Sequence, residues 1–225
     1  MPIAFCLLPI TYYLLPFAYY LLPIAYYLLP LAHPTPQKFM SLTIEDLEKL
    51  QAQLIDSQLD YRLELVDGQI IIIGLADYVS EEIIARLITF LNLWILPRQL
   101  GRVTGSSAGF RLPDGNLRGP DVSFIPAAKM RQSPRAFAEI VPDLVIEVRS
   151  VSDNIKPLVE KLENFLQLGS QVGILVDPKN LRVTVYRPLS APVILAGQDR
   201  LTIPELLPGW ELPISEIWPP VFTEN

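Results

Sequence analysis

Proline recurs at Pro2, Pro9, Pro16, Pro23 and Pro30, inside near-identical heptads such as Tyr12-Tyr13-Leu14-Leu15-Pro16-Phe17-Ala18 and Tyr19-Tyr20-Leu21-Leu22-Pro23-Ile24-Ala25. A proline every seventh residue removes backbone donors too often for a stable helix or a central strand. As a transmembrane helix the segment would carry these broken bonds and its Tyr-Tyr pairs into the bilayer interior. As a secretory signal it lacks a basic start, because nothing before Lys38 is charged. Residues 1–39 therefore read as a low-complexity extension, the translation of a short repeated DNA element. Met40 is then the start of the folded part, or the extension is a tolerated addition. A membrane-associating prefix is the competing reading.

Setting that segment aside removes Cys6 and His33, the only cysteine and the only histidine. Residues 40–225 then cannot support Ser-His-Asp or Cys-His catalysis, a zinc site on His or Cys, or a disulfide framework. Carboxylate, lysine and hydroxyl chemistry is left, and the matching ions are Mg²⁺ or Mn²⁺. A formal net charge of -6 opposes nucleic-acid binding unless basic groups cluster locally.

The remaining residues are sufficient for one sizeable domain, 40–225, of mixed α/β pattern. A helix is expected over 43–55, capped by Thr43, and then a hairpin of Tyr61–Leu65 and Gln69–Ile73 turning at Asp67-Gly68. A second helix runs from Ser80, its expected cap, to Leu96 and is closed by Pro97. Strands follow near Arg102–Ser106, Gly109–Leu112, Asp121–Ile125 and Leu144–Val148. A third helix spans Ile155 to Leu168 and ends at Gly169, before strands Val172–Val176 and Val183–Tyr186. Trp210 lies in a short edge segment, and Trp94, Trp210 and Trp218 read as packing residues.

In Leu144–Val148 the alternation puts Asp143, Val145, Glu147 and Arg149 on one face and Leu144, Ile146 and Val148 on the other. A carboxylate in so apolar a strand is costly without a cation or donor, which makes Glu147 the foremost candidate. The plain alternative is a glutamate paired with Arg149 or Arg118. Asp121 opens another apolar strand after Pro120, although Pro-Asp alone is more often a turn. Lys161 lies beside the stripe of Leu158, Leu162, Phe165 and Leu168, pointing inward or along its border. Together they suggest a metal-dependent phosphodiesterase site: Asp121 and Glu147 hold Mg²⁺ or Mn²⁺, the Val148 carbonyl adds a ligand, and Lys161 stabilises developing charge or assists the attacking water. Arg149 could contact phosphate but cannot be a base. Asp143 reads as a turn or strand cap, or else as a support behind the ligands or an alternative ligand, while Lys129, Arg131, Arg135 and Lys156 read as scattered basic surface or a basic patch.

From Ile44 to Trp218 the chain resembles the Uma2 family, proposed endonucleases of the PD-(D/E)xK nuclease superfamily. The resemblance rests on Glu64-Leu65-Val66-Asp67-Gly68, Gly109-Phe110-Arg111-Leu112-Pro113-Asp114-Gly115, Arg118-Gly119-Pro120-Asp121-Val122, Pro142-Asp143-Leu144-Val145-Ile146-Glu147-Val148, Ser152-Asp153, Glu160-Lys161 and Val176-Asp177-Pro178. It implies a restriction-endonuclease-like core, a central mixed sheet flanked by helices. It also implies Asp121 and Glu147 as motif acids, Lys161 as the motif lysine moved onto a helix, and a homodimer. Ser150-Val151-Ser152 replaces the family's Ser-Pro-Ser turn, and the superfamily's additional helix acid has only Glu81 or Glu82 as candidates. The expected protein is a cytoplasmic Mg²⁺-dependent endonuclease acting on DNA, with RNA as the other substrate. The competing class is a catalytically weak nucleic-acid-binding or protein-interaction module.

Overall fold

The structure is a computed structural model that describes residues 41–59 and 61–223. The heptad segment, and the readings attached to it, lie outside the described residues. Three α-helices are described, α1 (Ile44–Asp56), α2 (Tyr78–Arg98) and α3 (Ile155–Gln167). The strands are β1 (Arg62–Val66), β2 (Gln69–Ile73), β3 (Gly101–Gly105), β4 (Phe110–Arg111), β5 (Leu117–Arg118), β6 (Val122–Pro126), β7 (Leu144–Val148), β8 (Val172–Asp177), β9 (Arg182–Tyr186), β10 (Val193–Ala196), β11 (Arg200–Thr202) and β12 (Glu211–Pro213). Among these described residues no helix is long and apolar enough to cross a membrane.

A six-stranded mixed sheet in the order β10-β9-β8-β7-β6-β3 forms the centre. Its one parallel pair is β7 with β8, and α3 makes the crossover between them, as a parallel connection requires. Strand parity distributes the buried side chains. Leu144, Ile146 and Val148 of β7 pack with Ile83, Leu87, Leu91 and Ile95 of α2. Val145 on the opposite face packs with Leu162 and Phe165 of α3. A second sheet, β2-β1-β5-β4, buries Leu63, Leu65 and Leu117 with Leu47 of α1. Leu201, Trp210, Leu212 and Ile214 of the C-terminal segment complete the α2 side of the core, and Trp94 and Trp218 pack against them.

Local chemistry sets the boundaries. Thr43 and Asp46 form a reciprocal capping box at α1, and Asp67 (φ 50°) with Gly68 (φ 74°) supplies the left-handed pair that closes the β1–β2 hairpin. Two expected ends of α2 are corrected. Asp77, not Ser80, is the N-cap, its carboxylate accepting from the Val79 and Ser80 amides, while Ser80 is buried inside the helix. At the other end Pro97 lies within the last turn and Gln99 (φ 53°) ends the helix, because a proline there removes one late hydrogen bond and the chain can still exit left-handed.

Gly101, where β3 starts, fits only without a side chain. A Cβ there would lie 2.2 Å from the Ile125 carbonyl oxygen and 2.6 Å from the Phe124 ring. Gly101→Ala is expected to lower stability by about 1–3 kcal/mol through forced displacement of β6. Urea unfolding checks this, and an unchanged midpoint would contradict the fit.

Candidate active site

Asp121 stands one residue before β6. The antiparallel register pairs Val122 with Ile146, so one further step sets Asp121 against Glu147, and residues opposed in this way project to the same side. That side faces α3. The Asp121 Oδ2 atom accepts the Val148 amide at 2.8 Å, which ties the carboxylate to the end of β7. Glu147 is buried in the middle of an apolar strand, and α3 brings Lys161 over it, beside the buried Leu162 and Phe165.

The Lys161 ammonium joins three elements. It donates to Glu64 Oε1 at 3.1 Å and to the Gly119 carbonyl at 2.9 Å, and it lies 3.0 Å from Glu147 Oε1. The contact with Glu147 is a buried ion pair. Three carboxylates, Glu147, Glu64 and Asp121, thus act on one ammonium.

The electrostatic result is an excess of negative charge. Burial, reinforced by Asp121 and Glu64 and opposed by Lys161, pushes the Glu147 carboxyl up to about 8. Burial also raises Asp121, against the Val148 amide and the charges of Lys161 and Arg62. For Lys161 burial works downward, but the surrounding carboxylates outweigh it and the ammonium form is favoured. Both partners of the Lys161–Glu147 pair are therefore shifted toward their protonated forms, as expected where acids outnumber cations. A persistent ammonium suits charge stabilisation. It does not suit the proton-abstracting role that the sequence also allowed Lys161.

Glu147 makes folding pH-dependent. Below its ordinary value of 4.5 the carboxyl is protonated in both folded and unfolded chains. Between 4.5 and about 8 the folded state holds a proton that the unfolded state has lost, so stability falls as pH rises, by at most about 1.4 kcal/mol per pH unit for one proton. The cation-free protein is expected to show this slope in urea titrations with a chelator present, and Glu147→Gln to flatten it. A wild-type profile already flat across that window would refute the assignment.

Glu64 is the residue that sequence reasoning missed as a site member. It is buried within Arg62-Leu63-Glu64-Leu65-Val66, the same anomaly that singled out Glu147. Its Oε1 also accepts the Gly119 amide at 2.9 Å, which fixes the segment leading to Asp121.

The accessory candidates are placed elsewhere. Arg149 Nη1 lies 3.3 Å from Asp177 Oδ1 and its Nε donates to the Asp153 carbonyl, so the expected phosphate contact gives way to a tie between the ends of β7 and β8. Asp143 is fully buried and accepts from Lys129 at 2.8 Å and Gln171 at 2.7 Å. Four residues before Glu147, it stands roughly 13 Å away along the strand; it anchors the start of β7, and Lys129 is thereby committed. Glu82 makes no hydrogen bond or ion pair among the described residues, whereas Glu81, one residue earlier on α2, is the acid whose charge raises Asp121. The Val148 amide is given to Asp121, which leaves the carbonyl of that residue as its one backbone group for a cation.

The cluster's groups that could ligate a cation are all oxygens, the set preferred by Mg²⁺ or Mn²⁺. The excess of buried carboxylate over positive charge fits a divalent cation. Among the described residues no three His, Cys, Asp or Glu side chains form a complete cage, so water, backbone carbonyls or substrate oxygens would have to complete any coordination shell.

Comparison with known proteins agrees with the fold. The family model Uma2, described as "Putative restriction endonuclease", matches residues 44–215, well over half of the chain. Among solved structures, an Anabaena variabilis protein titled a "putative nuclease belonging to DUF820" superposes with a TM-score of 0.63 at 20% identity. The match covers 69% of this chain and 88% of that one, and at such identity it shows the shared fold. No curated protein matches the chain.

Proposed function

The chain belongs to the Uma2 family, a nuclease family by its description, and from that premise we propose that it is a Mg²⁺- or Mn²⁺-dependent endonuclease that hydrolyses phosphodiester bonds of DNA. The observation that carries the reading is the convergence of three buried or half-buried carboxylates, Asp121, Glu147 and Glu64, on the single ammonium of Lys161. Asp121, Glu147 and the Val148 carbonyl would hold the cation. When bound, such an ion polarises a phosphate oxygen and acidifies a water molecule.

The protein groups divide the remaining work. Asp121 is oriented by the Val148 amide, so it is preorganised rather than recruited. Glu147 offers its oxygen from a rigid central strand. Lys161, kept cationic by its neighbours, stabilises the negative charge that builds as a water oxygen bonds to phosphorus and the bond to the leaving sugar oxygen breaks. Glu64 and the Gly119 carbonyl hold that ammonium in place and act as positioning groups.

The test is direct. The full chain is incubated with supercoiled plasmid, single-stranded DNA and RNA of mixed sequence, in Mg²⁺, in Mn²⁺ and in EDTA. Cation-dependent nicking of DNA is expected. Uncut substrates under all cations would overturn the proposal in favour of a binding module with a nuclease fold, and cleavage of RNA alone would overturn the choice of DNA.

A further inference from the structure

Arg62, Glu64 and Arg118 share one face of the small sheet. Alternate residues of β1 face the same way, so Arg62 goes with Glu64. The antiparallel register sets Leu65 against Leu117, and one step further Arg118 stands against Glu64 on the same side. Glu64 reaches Lys161 and Gly119 on this side. The two guanidinium groups therefore flank the acid cluster.

Neither guanidinium is spent on an acid. Arg62 donates through Nη1 to the Ser106 carbonyl at 2.9 Å, and its charge acts on Asp121. Arg118 Nε is buried without an acceptor, and among the described residues its side chain makes no ion pair or hydrogen bond. Both line a cleft of about 60 Å³ together with Glu64, Gly119, Ser106 and Ser107. A half-buried guanidinium lacking a carboxylate is unusual in a chain with 24 acids and 18 lysines and arginines. Its planar fork of donors matches the paired oxygens of a phosphodiester.

We propose that Arg118, with Arg62 beside it, binds a backbone phosphate of the nucleic-acid strand next to the one attacked at the carboxylates, and so fixes where along the strand the cut falls. The assignment rests on the nuclease reading above. It supplies the local positive charge that a protein of net charge -6 needs against a polyanion. Backbone contacts position a strand without reading bases, so Arg118 governs affinity and placement uniformly across sequences.

Binding of fluorescein-labelled single-stranded and duplex DNA of mixed sequence is measured by anisotropy on the full chain, with Ca²⁺ in place of Mg²⁺ to hold off cleavage, over a series of salt concentrations. Arg118→Met is expected to weaken binding about tenfold and to lower the salt slope by about one ion. Arg118→Lys, which keeps charge but loses the fork, should recover part of the loss, and the control Arg200→Met, at an exposed arginine paired with Glu211, should bind as wild type. In Mg²⁺, Arg118→Met should raise KM about tenfold with a much smaller change in kcat.

The subsite is overturned if Arg118→Met keeps wild-type affinity and salt slope, or if the wild type binds no DNA. Arg118-dependent binding without cleavage in Mg²⁺ or Mn²⁺ would leave the subsite standing and sink the nuclease reading instead. Circular dichroism and melting accompany each variant; should Arg118→Met fail to fold, Arg118→Lys and Arg118→Gln are judged by the same criteria.

Discussion

Glu147→Gln is expected to reduce cation-dependent cleavage by on the order of 10³-fold or more, while leaving the protein folded and, at pH 8 without added cation, more stable by about 1–2 kcal/mol. Glutamine keeps the shape of the side chain but removes the ionisation that burial beside Asp121 and Glu64 opposes. Loss of activity with gain of stability is the signature of a carboxylate retained for chemistry. A glutamate serving only as a structural ion-pair partner of Lys161 would behave in the opposite way, losing several kcal/mol and sparing the reaction. Plasmid cleavage and urea unfolding of the same preparation distinguish the two. Wild-type cleavage by Glu147→Gln would remove Glu147 from the site.

Lys161→Met has the second large expected effect, and its sign is opposite on the stability axis. Removing the ammonium leaves Glu64 and Glu147 buried without their shared cation, a loss on the order of 3–5 kcal/mol. Activity is expected to fall by roughly 10²–10³-fold, as when a donor to a developing anion is deleted. The two losses can be separated. Adding Glu64→Gln to Lys161→Met relieves one uncompensated charge, so the double variant should regain part of the stability and none of the cleavage. Recovery of both would reduce Lys161 to a structural lysine.

The site was legible in the sequence where a single segment carried its own contradiction. A glutamate among leucine, valine and isoleucine is such a case, and so is a lysine on the border of an apolar helical stripe. Glu64 carries the same contradiction, but nothing in the chain announces that β1 docks beside α3, since Glu64 and Lys161 are 97 residues apart. Arg149 is a related case: strand parity gives its direction, and only the tertiary fold supplies Asp177 as its partner. The capping box at α1 is legible because it is local, whereas the cap of α2 is ambiguous in the sequence, because Ser80 and Asp77 compete on equal chemical terms. The two-residue strands β4 and β5 have too few residues to show a period.

The distance in sequence between Glu64 and Lys161 also sets when the protein can work. During synthesis the first hairpin emerges long before α3, and the lysine that Glu64 helps to hold is made almost a hundred residues later. Contacts between such distant segments form late and slowly. A nascent or clipped chain ending before α3 would carry Glu64, Asp121 and Glu147 without the ammonium that faces them. Cleavage is therefore expected only from chains that extend through α3, and chains that end before it should be inactive.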